Sequence, residues 1–312
     1  MSKVSVPGSI MLFGEHAVLR GKMAIVAAVD FRLQVNLIFN NNNKIYITSS
    51  FGNKEFDLND LNSMEINITG WQFVMASIKY FNLQQKINMG FSLSIEDGNL
   101  KNSVGFGSSA AVVVGVLAVL NDVFSKNRSE QDLFKQSLSV VHQVQNGHGS
   151  GADLAASIYG GIISFKDFRV QKILKKSFDL TAVYCGYKTK TTDVIKIINN
   201  KIVKNKKLYN YIFNTLNNCS KLAMSAVKLE DLQVIGKLMN IAHGLMTGMG
   251  VVDANLDQLA CTLRAQSTIY GAKISGAGLG DCIIGLGKLT KNLFKENQFD
   301  IQTTMQGLIW LE

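Results

Sequence analysis

The chain has a single proline, Pro7, and four cysteines, Cys185, Cys219, Cys261 and Cys282, spaced so widely that no C-x-x-C occurs. Such spacing argues against a disulfide framework and against a zinc site built on paired thiolates. The four histidines, His16, His142, His148 and His243, form no H-E-x-x-H, which removes the zinc-protease signature. No G-x-x-x-x-G-K-[ST] run exists, so a Walker phosphate loop is excluded. No stretch is read as approaching the ~18 apolar residues of a bilayer span, and residues 1–6 are too short and polar for a secretory leader. The expectation is a reduced, cytoplasmic protein with no membrane partner.

Apolar residues, by contrast, are plentiful. At 312 residues and 47% hydrophobic, the chain can bury one large core or two smaller ones. A net charge of +9 fits an anionic partner of some kind. Its densest region, Lys196, Lys201, Lys204, Lys206 and Lys207, has neither interleaved arginines nor a series of stacking aromatics, so nucleic acid is not the expected partner.

Hydrophobic spacing predicts a mixture of strands and helices. Residues 31–39 place Leu33, Val35, Leu37 and Phe39 on one face, four asparagines follow at 40–43, and Ile45 and Ile47 alternate again, which together predict a β-hairpin. Trp71, Val74, Met75 and Ile78 have helical spacing, and residues 89–95 alternate as a strand. Further helices are expected over 110–124, over 130–145 behind Ser129 as N-cap, and over 206–228, 232–246 and 256–268. Residues 165–176 are charged and read as loop or edge strand, residues 181–187 as a strand, and the change of character near 170 suggests a boundary between two domains, 1–170 and 171–312.

Three glycine clusters punctuate this pattern. In the stretch 103–111, Ser103, Gly105, Gly107, Ser108 and Ser109 run into Ala110 and a long apolar helix. Glycines let a loop approach a ligand closely, and the helix N-terminus behind them would aim N–H groups and a positive dipole end at an anion. On this stretch alone, a phosphate cradle and an ordinary glycine-rich turn capped by Ser108 or Ser109 stand side by side. A dinucleotide-binding reading lacks the βαβ alternation and the acidic residue about twenty positions on.

Taken together, three motifs resemble the signatures of the galactokinase, homoserine kinase, mevalonate kinase and phosphomevalonate kinase (GHMP) superfamily. They are Pro7-Gly8-Ser9-Ile10-Met11-Leu12-Phe13-Gly14-Glu15-His16-Ala17-Val18, then Gly105-Phe106-Gly107-Ser108-Ser109-Ala110-Ala111, then Lys273-Ile274-Ser275-Gly276-Ala277-Gly278-Leu279-Gly280-Asp281-Cys282. Gly-Glu-His-Ala-Val followed by Gly21 resembles the mevalonate kinase branch. The resemblance implies the GHMP fold, an N-terminal α/β domain like a domain of a ribosomal protein joined to a ferredoxin-like α+β domain, with the active site between them. It implies ATP held by Ser103, Gly105, Gly107, Ser108, Ser109 and Ala110, Mg²⁺ touching the Ser109 hydroxyl, and Asp153 as the catalytic carboxylate. Glu15, His16, Thr191, Gly276 and Gly278 would face a small acceptor, mevalonate or a phosphorylated mevalonate, and a homodimer is common in the family.

The sequence also departs from that branch. Ser9 stands where mevalonate kinases usually carry a lysine, and His142 stands where they carry a magnesium-binding glutamate. The ending Gly280-Asp281-Cys282 resembles phosphomevalonate kinases, and Lys101, Lys188 and Lys190 could hold a phosphorylated acceptor. The alternatives to mevalonate phosphorylation are therefore a phosphomevalonate kinase, a diphosphomevalonate decarboxylase and a nucleotide-binding homologue without turnover.

Overall fold

A computed structural model describes residues 1–98 and 105–312. The first sheet has the order β12-β1-β2-β5-β3-β4, with β6 also paired to β2 and β7 to β6. Its strands are β1 (Ser2–Phe13), β2 (Ala24–Phe39), β3 (Lys44–Ser49), β4 (Gly52–Asp57), β5 (Phe91–Glu96), β6 (Ile162–Lys166), β7 (Arg169–Leu174) and β12 (Ile309–Leu311). The long β2 serves two neighbours, β6 along Ala24 to Ala27 and β5 along Gln34 to Phe39. Pro7 sits where the β1–β2 register slips, a position where its missing N–H does least harm to the ladder.

The expected hairpin of β2 and β3 does not form. β5 lies between them, antiparallel to β2 and parallel to β3, and the hairpin partner of β3 is β4. Alternation identifies a strand but not its neighbour. Buried Phe91, Leu93 and Ile95 give β5 an apolar face suited to the middle of the sheet, while the polar β4 fits an edge.

Four helices belong to this lobe: α1 (Gln72–Gln85), α2 (Ser108–Leu120), α3 (Glu130–Val144) and α4 (Ala152–Tyr159). Ser129 caps α3 as expected, accepting from the Asp132 N–H. α2 packs on β1 and β2 and is flanked by α1, α3 and α4. Its run Ser108–Ser125 is, by length and composition, long and apolar enough to cross a membrane, contrary to the expectation that no stretch comes close. That apolarity matches its position, since a helix covered on every side is hydrophobic all round.

The second sheet is antiparallel, in the order β11-β8-β10-β9: β8 (Asp179–Tyr184), β9 (Gly271–Ser275), β10 (Cys282–Leu286) and β11 (Gln298–Gln302). It carries α5 (Thr191–Lys204), α6 (Lys206–Leu229), α7 (Leu232–Gly248) and α8 (Ala254–Arg264). α8 stops four residues before the expected end of its helix. α5 is an addition to the predicted elements: it buries Val194, Ile195 and Ile198 beneath a lysine- and asparagine-rich face, and that face masked the apolar stripe. His243 ties α7 to β9, accepting at Nδ1 from the Ile274 N–H at 3.2 Å and donating from Nε2 to Asp257 at 3.0 Å.

Candidate active site

A cleft of about 240 Å³ opens where β1, the loop behind it, the starts of α2, α4 and α5, and the β9–β10 loop converge. Three helix N-termini thus face one space, a geometry that favours anions. Neither α2 nor α4 is capped by the residue at its N-cap, a glycine with left-handed backbone in each, Gly107 and Gly151, though the Ser150 hydroxyl accepts from the Ala152 N–H of α4 at 3.2 Å. Ser108 and Ser109 are therefore the first residues of α2 rather than its cap, and both line the cleft. The hydroxyls expected to cap the helix are left available to a ligand.

The glycine loop is fixed to β1, since the Ser9 N–H donates to the Phe106 carbonyl at 2.9 Å. Gly105 and Gly107 have φ of 71° and 68°, and a Cβ on them would run into the Asp281 carboxylate and the Ser9 hydroxyl respectively. Only glycine meets both the backbone and the space requirement. Gly107→Ala is expected to dislodge Ser9 from its partner and to cost about 1 kcal/mol or more of stability from the left-handed backbone. Chemical denaturation checks this, and a variant as stable as the parent chain would contradict it.

The Ser9 hydroxyl donates to Asp153 Oδ1 at 3.0 Å. Asp153 stands in the first turn of α4 and lines the cleft. Burial pushes its carboxyl up; the Ser9 hydrogen bond and the Lys188 charge pull it back, and Asp281 pushes it up again. Opposite, Lys188 Nζ lies 3.3 Å from Asp281 Oδ2. Asp281 Oδ1 is buried and has no hydrogen-bond partner among the described residues. Its carboxyl is raised by burial, with Lys188 acting against the shift.

On the acceptor side, Glu15 forms a fully buried pair with Lys273 of β9. Burial pushes the Glu15 carboxyl up and the Lys273 ammonium down, each partly offset by the other. His16 Nε2 donates to the Ala277 carbonyl at 2.7 Å, so the proton sits on Nε2 and Nδ1 is the ring's acceptor. Burial lowers the His16 pKa and favours the neutral ring. The Ser275 hydroxyl donates to the Met11 carbonyl at 3.1 Å. These contacts join the β9–β10 loop of the second sheet to β1 and its following turn.

Of the expected site residues, the structure gathers Asp153, Gly105, Gly107, Ser108, Ser109, Ala110, Glu15, His16, Thr191 and Gly276 around the one cleft. Ser103 and Lys101 lie outside the described residues. Gly278 does not line the cleft; it is pressed against the Val251 carbonyl, and Ala277 lines the cleft in its place. His142 is also turned away, its Nε2 donating to the Gly149 carbonyl at 3.0 Å and its ring edge-on to Phe168. From that turn of α3, Val141 and Gln145 reach the cleft. Lys190 does not line it. Residues missed by the sequence reading are Gln145, the Lys273 partner of Glu15, and Asp281 as a neighbour of the glycine loop.

A glycine cradle that added Cβ atoms would fill, helix N-termini aimed into it and a carboxylate beside it suit an enzyme that binds a polyanion and moves a proton next to it. Family models match at the GHMP kinases N terminal domain over residues 72–161 and at the GHMP kinases C terminal domain over residues 223–296. The mevalonate kinase of Saccharolobus solfataricus is 30% identical over 292 residues, 91% of this chain and 89% of the relative. That of Archaeoglobus fulgidus is 30% identical over 304 residues, 97% and 98% of the two chains. Among solved structures, Methanococcus jannaschii mevalonate kinase aligns with a TM-score of 0.84 at 24% identity, over 97% of this chain and 98% of that one. The chain belongs to the GHMP kinases, and the two curated relatives named here, each matched over about nine-tenths or more of both chains, are mevalonate kinases.

Proposed function

We propose that the protein transfers the γ-phosphoryl group of ATP to the primary hydroxyl of mevalonate. The full-length likeness to mevalonate kinases supports this reading, as does the mevalonate complex of a structural relative, the L. major mevalonate kinase, which aligns with a TM-score of 0.77 over 98% of this chain and 97% of that one at 22% identity. The observation that carries the choice of acceptor is the charge of the cleft. Among the described residues that line it, Lys188 is the one lysine or arginine, and it is paired with Asp281. A phosphorylated acceptor would need a further basic group on its side of the cleft.

In this reading the loop amides at Gly105 and Gly107, with the Ser108 and Ser109 hydroxyls, hold the phosphates of ATP. Mg²⁺ would be held beside them by the Ser109 hydroxyl, which lines the cleft at the start of α2 and is a hard oxygen donor of the kind the ion prefers. When bound, the ion neutralises charge on the transferring phosphate. Asp153 orients the acceptor hydroxyl and takes its proton, held in place by Ser9. Thr191, at the uncapped start of α5, and neutral His16 position the acceptor's carboxylate and hydroxyls.

The test offers mevalonate, phosphomevalonate and diphosphomevalonate in turn with ATP and Mg²⁺, following ADP and CO₂. ADP formed with mevalonate alone is the expected result. ADP with phosphomevalonate alone, CO₂ from diphosphomevalonate, or nucleotide binding without turnover would each overturn the proposal in favour of a different reading.

A further inference from the structure

The cleft has an unusual balance of charge for a site that accepts a polyanion. Three carboxylates line it, Glu15, Asp153 and Asp281. Glu15 is matched by buried Lys273, which leaves Asp153 and Asp281 facing the phosphate loop with a single cation, Lys188, among the described lining residues. Asp281 stands against Gly105, so its partner Lys188 is at the mouth of the glycine loop. The Lys188 charge is also felt at Asp153. Paired with Asp281 and lining the same cleft as Asp153 and the glycine loop, its ammonium faces the space they share.

The loop around it is built to hold this arrangement. Asp281 adopts a left-handed backbone, φ 73°, and its N–H donates to the Tyr187 carbonyl at 2.9 Å while its carbonyl accepts from the Cys185 N–H at 3.0 Å. The strand ends carrying Lys188 and Asp281 are thus locked together, and the two side chains meet over the cleft. The ammonium itself is loosely held: the Lys188 side chain is 48% exposed and Asp281 21% exposed. A pair that open to water contributes little net stability. A phosphate oxygen, with more charge and several acceptor directions, is the stronger partner for an ammonium.

We propose that Lys188 is the cationic clamp on the terminal phosphate of the nucleotide, and that Asp281 is its resting counter-ion, given up when that phosphate arrives. The inference rests on the kinase reading and adds to it the residue that senses the third phosphate. Donors aimed at the transferring group act on the charge that develops there, and Lys188 is the described lining residue able to do so with a full positive charge.

Calorimetric titration of the full chain with Mg²⁺ present, using ADP and the non-hydrolysable β,γ-imido analogue of ATP, tests this without depending on the acceptor. Lys188→Met should weaken the triphosphate about tenfold while leaving ADP within about twofold, tenfold being the size of one modest charge interaction. Lys188→Arg should restore most of the difference, because it keeps the charge. Asp281→Asn, which frees Lys188, should bind the triphosphate as well as or better than the parent chain. Equal losses for both nucleotides, no loss at all, or no rescue by arginine would overturn the clamp. An Asp281→Asn variant as weak as Lys188→Met would overturn the counter-ion role and put Asp281 on the metal instead. If the parent chain binds neither nucleotide, the kinase reading itself fails and the inference falls with it. Melting curves of the two Lys188 variants are expected to match the parent chain, since that side chain is half in water.

Discussion

Asp153→Ala lowers kcat by about 10²- to 10⁴-fold, the range spanned by a positioned acid–base group, while affinity for ATP stays within a few-fold of the parent chain. The separation follows from the geometry. Asp153 touches the cleft from the first turn of α4, whereas the nucleotide's phosphates are assigned to the loop at Gly105 and Gly107 and to the start of α2. Asp153→Asn is the sharper variant, because it keeps the volume and an oxygen for the Ser9 hydroxyl, which now donates at 3.0 Å. Any remaining loss of rate then belongs to the charge and the proton. Burial, the largest influence, raises the Asp153 carboxyl above the ordinary 3.8. The ionised form that turnover needs accumulates only above that raised value, so kcat climbs with pH through an acid limb higher than a free aspartate would give. Ser9→Ala removes a hydrogen bond that favours the charged form, and its acid limb moves to still higher pH. Turnover of Asp153→Ala within about tenfold of the parent chain, or a limb that ignores Ser9, would contradict the assignment.

Much of this arrangement could be read from the residues, and the gaps have physical causes. Helices with a clear apolar stripe, such as α3 and α6, were legible because packing and local preference agree. The neighbours of a strand were not, since the period-2 pattern of β2 and β3 is satisfied whichever strand lies between them. α5 was hidden by its solvent face, where lysine and asparagine outnumber the buried Val194, Ile195 and Ile198. At the site, the glycine motifs and Asp153 carry their own chemistry in short contiguous runs. The partners of those residues come from far along the chain. Nothing near Glu15 announces Lys273, 258 positions away, and nothing near Gly105 announces Asp281. The raised Asp153 carboxyl belongs to the same class: an isolated aspartate is a weak base, and only the folded surroundings make it a better one.

The second large effect concerns stability, and it falls on the pair that joins the two sheets. Lys273→Met should destabilise the protein by about 3–5 kcal/mol, the usual consequence of stripping one partner from a buried ion pair. Lys273 and Glu15 are both fully buried, and the ammonium also donates to the Ile274 carbonyl. Glu15 Oε2 has no hydrogen-bond partner among the described residues, so the carboxyl left behind would keep only the neutral backbone donors of Glu15 and Gly276 and no compensating charge. Its raised pKa lets it take up a proton, which limits the cost of stranding it without removing that cost. Glu15→Gln combined with Lys273→Met leaves no charge stranded and should recover at least half of the loss, because replacing both partners of a buried pair is often close to neutral. The recovery in stability need not extend to activity. Glu15 lines the cleft beside His16, and the pair fixes β9 and its loop, with Gly276 and Ala277, against the turn that follows β1. Denaturant unfolding gives the stability difference, and kcat with mevalonate gives the functional one. A single variant that loses less than ~1 kcal/mol would mean that the pair is dispensable to the fold. A double variant as active as the parent chain would mean that apolar packing alone holds the acceptor side of the cleft in register.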